Sequence, residues 1–126
     1  MRKILIVDDH DDFREGVKDF LKKQKMDLLI SESSSAEEAI AKALFLRPDI
    51  ILMDIRLPNM NGIEASNKIK EQLPNCKIII LTVFETNVFK DVFKSDAIVD
   101  YIGKSELYEK LVPALNKAFN QINHHK

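Results

Sequence analysis

The sequence predicts an α/β protein: a doubly wound, five-stranded parallel sheet with helices on both faces. Short unbroken apolar runs recur along the chain, namely Ile4-Leu5-Ile6-Val7, Ile50-Ile51-Leu52-Met53 and Ile78-Ile79-Ile80-Leu81. Such runs mark strands buried on both sides of a parallel sheet. Amphipathic stretches of helical period lie between them. Helical links of this length return the chain by right-handed crossovers to parallel neighbours.

The elements follow in order. The first strand is Lys3 to Asp8. A helix runs from about Asp11 to Gln24, with Phe13, Val17, Phe20 and Leu21 at helical spacing and charges between them. Leu28-Leu29-Ile30 is a short second strand. Ser34-Ser35-Ala36-Glu37-Glu38 reads as a capping box, in which a serine hydroxyl and a glutamate three positions later satisfy each other's orphan amides. That helix continues to about Leu46 and ends at Arg47-Pro48. The third strand is Ile50 to Asp54. The third helix is Gly62 to Gln72, with Ile63 and Ile69 facing inward, and Leu73-Pro74-Asn75 ends it. The fourth strand is Lys77 to Thr82. A fourth helix is expected within Thr86 to Lys94, a fifth strand over Ile98 to Ile102, and a last helix from Glu106 to about Ile122. Residues 1–122 form one domain, and the polar end Asn123-His124-His125-Lys126 is expected to fray.

Composition narrows the function classes. A chain of 126 residues, 45% hydrophobic and 31% charged, makes one globular domain with a real core. A net charge of −1 leaves no basic footprint for nucleic acid or an anionic membrane. The one cysteine, Cys76, excludes an internal disulfide and a cysteine-based zinc site. The apolar run after Met1-Arg2-Lys3 stops at Asp8, too short for a signal core or a membrane span. A soluble, cytoplasmic protein is expected.

The candidate site is built on Asp54. The run Ile50 to Met53 ends on this carboxylate, and Pro58 and Asn61-Gly62 supply turn chemistry after it. Asp54 is therefore expected where a buried strand emerges at its C-terminal end, which is where open α/β sheets bind ligands. Asp8-Asp9 ends the first strand in the same way. If those strands are neighbours, three carboxylates meet in one crevice. They would repel one another unless a cation were present, and hard oxygen ligands suit Mg²⁺. Thr82 ends the fourth strand with a hydroxyl, and Lys104 follows the fifth with an ammonium. Singly, these residues are ordinary: aspartate is a common cap, threonine a common strand residue, lysine a common solvated charge. As a set at C-terminal strand ends they supply what phosphoryl transfer to a carboxylate requires.

The segments Val7-Asp8-Asp9-His10, Leu52 to Gly62, Leu81-Thr82 and Tyr101-Ile102-Gly103-Lys104 resemble the receiver domain of bacterial two-component response regulators. The resemblance covers essentially the whole chain. It implies a flavodoxin-like sheet in the order 2-1-3-4-5. It implies Asp54 as phosphoacceptor, Asp9 as a direct Mg²⁺ ligand, Asp8 acting on the metal through water, and Arg56 offering its backbone carbonyl. Thr82 and Lys104 would bind the phosphoryl group, and Tyr101 would be an aromatic switch coupled to Thr82. The implied function is a phosphorylation-dependent signalling switch, not a classical enzyme. It takes its phosphoryl group from a sensor histidine kinase or phosphotransfer protein, catalysing only its own phosphorylation and slow dephosphorylation. Output would pass through the surface of the fourth helix, fifth strand and fifth helix, to a homodimer partner or an output domain. The run Asp9-His10 with Phe13-Arg14-Glu15-Gly16 further resembles receivers joined to helix-turn-helix output domains.

Three features depart from the family pattern. Val83 stands where a smaller residue is common and is expected to narrow access to the site. Ser105 replaces the usual proline after Lys104. Ser95 to Asp100 lacks a turn glycine. In the fourth helix Phe89, Val92 and Phe93 share a face read as core, whereas Phe84 and Val88 fall partly outside it and offer a candidate partner surface. His10 is read as the start of the loop into the first helix.

Other classes compete. A haloacid-dehalogenase-type phosphatase also uses an aspartyl nucleophile and Mg²⁺, and Asp9-His10-Asp11 imitates its first motif, but it would leave Asp54 idle. A flavodoxin-like cofactor binder needs a Thr-, Ser- and Gly-rich phosphate loop, whereas Asp8-Asp9-His10-Asp11-Asp12 repels phosphate. A receiver-shaped interaction module independent of phosphorylation would not need the complete acceptor, metal and lysine set.

Overall fold

The computed structural model describes residues 1–83 and 97–123. The expected fourth helix and its apolar face lie outside the described residues, as do the last three residues. The described elements are β1 (Arg2–Val7), α1 (Asp11–Lys22), β2 (Leu28–Ser33), α2 (Ala36–Leu46), β3 (Ile50–Asp54), α3 (Gly62–Gln72), β4 (Lys77–Thr82), β5 (Ile98–Gly103) and a C-terminal helix (Leu107–Asn123). A short 3₁₀ turn, Lys104–Glu106, joins β5 to that last helix.

The five strands pair in parallel in the order β2-β1-β3-β4-β5. The central strand β3 is buried throughout, as its unbroken apolar run requires. Two core layers sandwich the sheet. On one side Leu5, Val7, Ile51, Met53, Ile78 and Ile80 pack with Ala36, Ala39 and Ala43 of α2 and Ile63, Ala65 and Ile69 of α3. On the other, Ile4, Ile6, Ile50, Leu52, Ile79 and Leu81 pack with Val17 and Leu21 of α1 and with Leu111, Leu115 and Phe119 of the C-terminal helix. Alternate residues of each strand thus feed opposite layers.

Local signals act close to where they were expected. Ser35 Oγ accepts from the Glu38 amide at 3.1 Å, and Glu38 Oε1 accepts from the Ser34 amide at 3.4 Å. The reciprocal cap is present, with the return bond made one residue earlier than in the usual box. α2 ends at Arg47 in the left-handed region, φ 51°. Asn61 caps α3, its Oδ1 accepting from the Glu64 amide at 2.9 Å. Boundaries shift by a residue at β1, which is Arg2–Val7 rather than Lys3 to Asp8, and at the last helix, which is Leu107–Asn123 rather than Glu106 to Ile122; three other elements change as well. β2 runs on to Ser33, because an edge strand continues as long as its neighbour offers ladder partners (Val7 pairs with Ser33). α1 stops at Lys22 rather than Gln24. β5 reaches Gly103, and its register with β4 slips between Ile78 and Ile79, a bulge in the segment whose turn lacks glycine. Cys76 is buried, and burial pushes its thiol up to about 12.

Candidate functional site

β1 and β3 are neighbours, with Val7 opposite Met53. The residues that follow them therefore emerge side by side at one edge of the sheet. Carboxylate oxygens of Asp8, Asp9 and Asp54, together with a ring nitrogen of His10, all lie within 4.8 Å of one another. Asp8 is fully buried, Asp54 is 4% exposed, and Asp9 opens to solvent. The three predicted carboxylates are thus brought together.

Lys104 arrives from the opposite end of the chain. Its Nζ donates to Asp8 Oδ2 at 2.7 Å and lies 3.6 Å from Asp54 Oδ2. The other Asp8 oxygen accepts from the His10 amide at 2.9 Å and is 3.0 Å from His10 Nδ1. Both oxygens of Asp8 are therefore committed to protein donors. Those of Asp9 and Asp54 are less so: Asp54 Oδ1 accepts a long bond from the Arg56 amide at 3.3 Å. Burial pushes the Asp54 carboxyl up to about 6, the Asp8 charge adds to the rise, and the Lys104 ammonium opposes it. A carboxyl held up by burial and a like charge is what an added divalent cation would relieve. The donor set, all hard oxygens apart from one imidazole, fits such an ion.

The remaining predicted residues sit around this cluster. Thr82 is fully buried at the end of β4, one step beyond the Leu81 that pairs with Asp54. It pairs with Gly103, the residue before Lys104. Tyr101 pairs with Ile80, two residues before Thr82 on the same face. Its ring is half-buried against the α2–α3 layer, and burial raises its phenol. Val83 is 68% exposed immediately after Thr82.

Two contributors were not assigned to the site from sequence. His10 bridges Asp8 and Asp9, 3.0 Å from each, and its hydrogen bond to Asp8 raises its imidazole pKa. Phe13, read as an apolar position of α1 and not as a site residue, has its ring under the Lys104 ammonium, 4.2 Å from ring centroid to Nζ. Gly62 is a third close neighbour. A Cβ there would meet the Asp54 carbonyl oxygen at 2.3 Å, so the first turn of α3 packs directly on the backbone of the acceptor strand. By contrast Asp11, needed by the dehalogenase reading, is 86% exposed and ion-paired to Arg14.

Fold and site together define a doubly wound parallel α/β protein with an acidic crevice at its switch point. The chain belongs to the response regulator receiver domain family, whose profile matches residues 4–116. It is 41% identical over 117 residues to the response regulator protein VraR of Staphylococcus aureus, covering 91% of this chain and 55% of VraR. The fold matches the response regulator domain of Thermotoga maritima CheB with a TM-score of 0.80 at 30% identity, covering 98% of this chain and 97% of that one. It matches the T. maritima response regulator TrrA, solved in complex with Mg²⁺-BeF, with a TM-score of 0.84 at 29% identity, covering 94% and 99%. The protein is a receiver domain of a two-component system, a signalling domain of the kind that acts through phosphorylation. The chain spans about half the length of the curated relatives it matches. No described helix is long and apolar enough to cross a membrane.

Proposed function

We propose that Asp54 accepts a phosphoryl group from the phosphohistidine of a sensor kinase or phosphotransfer protein. The observation that carries this reading is the convergence of Asp8, Asp9 and Asp54 on one spot, with the Lys104 ammonium 3.6 Å from Asp54. In the transfer an Asp54 carboxylate oxygen forms the new P–O bond. The P–N bond breaks, and its electron pair stays on the imidazole nitrogen, which takes up a proton. Lys104 moves from Asp8 to a phosphoryl oxygen, and the Thr82 hydroxyl donates to another.

Asp9, Asp54 and the Arg56 backbone carbonyl would hold Mg²⁺, with Asp8 acting through water. The commitment of both Asp8 oxygens to Lys104 and His10 favours this division. When bound, the ion supplies charge neutralisation and alignment of the phosphoryl oxygens. Tyr101 relays the movement of Thr82 to the surface of β5 and the C-terminal helix, together with the fourth helix expected from sequence. There a second copy of the chain or an output domain is the receiving partner. Phosphate need only favour the active conformation by about 3–5 kcal/mol to turn a mostly-off ensemble mostly on. The unit runs through Asn123, the last residue of the C-terminal helix and one beyond the expected boundary at 122, and the setting is cytoplasmic.

A phosphate-affinity gel with acetyl phosphate tests the assignment. Wild type should shift with Mg²⁺ and not without it, and Asp54→Asn should not shift. A shift that survives Asp54→Asn would refute Asp54 as acceptor.

A further inference from the structure

We infer that Phe13 is a positioning residue for phosphoryl transfer: its ring is the platform that aims the Lys104 ammonium at the gap between Asp8 and Asp54. This rests on the proposed role of Asp54 and Lys104, and it concerns a residue that role does not involve.

Among the described residues, Lys104 Nζ meets three groups. Asp8 Oδ2 is 2.7 Å away, Asp54 Oδ2 is 3.6 Å away, and the centroid of the Phe13 ring is 4.2 Å away. Only the first is a hydrogen bond. A lysine carries its charge on a flexible four-carbon stem, so one hydrogen bond leaves its direction loosely set. The negative face of an aromatic ring attracts the cation without offering a competing acceptor. It steadies the ammonium yet leaves its protons free for oxygen ligands. A leucine or methionine here would fill similar space and leave the ammonium to water. The ring is itself anchored, because Phe13 stands in the first turn of α1 and packs against the layer formed by Val17, Leu21 and the C-terminal helix. Lys104 is held at its own end by the 3₁₀ turn after β5. The platform and the cation thus come from segments 91 residues apart in sequence and meet only through that layer.

During transfer the lysine has to leave Asp8 for a phosphoryl oxygen. The Phe13 ring is the one of its three neighbours whose attraction does not change when charge moves from Asp54 to the phosphoryl group. It therefore acts as a pivot, and its effect belongs in the rate of transfer rather than in metal binding.

The test measures the acetyl phosphate labelling rate of the full chain across a Mg²⁺ titration, for wild type, Phe13→Leu, Phe13→Met and Phe13→Tyr. Roughly three- to tenfold slower labelling at saturating Mg²⁺ is expected for Leu and Met, with Tyr near wild type and the half-saturating Mg²⁺ unchanged. In a Lys104→Met background, Phe13→Leu should add nothing. Equal rates for Leu, Tyr and wild type would overturn the inference. So would equal losses in Leu and Tyr, or a shifted half-saturating Mg²⁺, since a packing defect in the β1–α1 loop disturbs Asp8 and Asp9 whatever the ring. If Phe13→Leu does not fold, the Met and Tyr pair decides alone. Wild type that is not labelled on Asp54 at all would instead overturn the functional assignment on which the inference rests.

Discussion

The Lys104 ammonium donates to the Asp8 carboxylate at 2.7 Å, across 96 residues of sequence. This bond compensates a carboxylate that is fully buried, and a buried charge that loses its partner is strongly destabilising. Lys104→Met should therefore lower metal-free stability by about 3 kcal/mol. Mg²⁺ should restore part of that loss, because the ion replaces the missing positive charge. Urea denaturation with and without Mg²⁺ checks both statements, and equal losses in the two conditions would contradict the second.

Asp54 predicts the opposite sign. Burial raises its carboxyl to about 6 in the folded protein, against 3.8 for the ordinary group. Folding therefore favours the protonated form. That contribution is complete below about pH 4 and is lost as pH rises through 6. At pH 7.5 the ionised group, facing Asp8 and Asp9 with Lys104 and the Arg56 amide to offset them, costs the metal-free protein about 1–2 kcal/mol. Asp54→Asn should raise the melting temperature by several degrees at pH 7.5, and by roughly half as much at pH 5. Melting curves at the two pH values in EDTA decide this. A gain as large at pH 5 as at pH 7.5 would contradict it.

Gly62→Ala should be costly. Its Cβ would meet the Asp54 carbonyl oxygen at 2.3 Å and the Ile55 Cα at 3.0 Å, both backbone atoms that cannot step aside. A loss of about 2–4 kcal/mol is expected, spanning the upper part of the usual overpacking range and beyond. Gly103→Ala is the control, since among the described residues beyond its chain neighbours the atoms closest to its added Cβ are 4.0 Å away. Calorimetry of the pair should separate them clearly.

Val83→Ala should speed phosphorylation, hydrolysis of the phosphoryl group, or both. Val83 is 68% exposed beside buried Thr82, so trimming it opens the approach to the site while changing stability by less than about 0.5 kcal/mol. Labelling and decay time courses check this, and two unchanged rates would refute it.

Much of the fold was legible in sequence because its signals are local. Ile50 to Met53 is apolar without a break because both faces of β3 are covered, and Asp54 marks where that cover ends. Ser35 announces a helix start because a cap satisfies amides only three residues away; Asn61, read from sequence only as turn chemistry, caps α3 in the same way. The extent of β2 was less legible. Leu28-Leu29-Ile30 is its apolar part, and the polar half to Ser33 is strand only because β1 lies beside it.

The sequence by itself determined that carboxylates, a hydroxyl and an ammonium stand at strand C-termini, and in which order. Run length, helical period and turn chemistry are properties of neighbouring residues, so they survive without knowledge of the fold. Only the tertiary structure decided which of these groups touch. It turned Lys104 onto Asp8, set His10 between Asp8 and Asp9, slid the Phe13 ring beneath the lysine and pressed Gly62 against the Asp54 backbone. Those contacts are fixed by how helices settle on two faces of one sheet, and packing between distant segments leaves no periodic trace in the sequence of either.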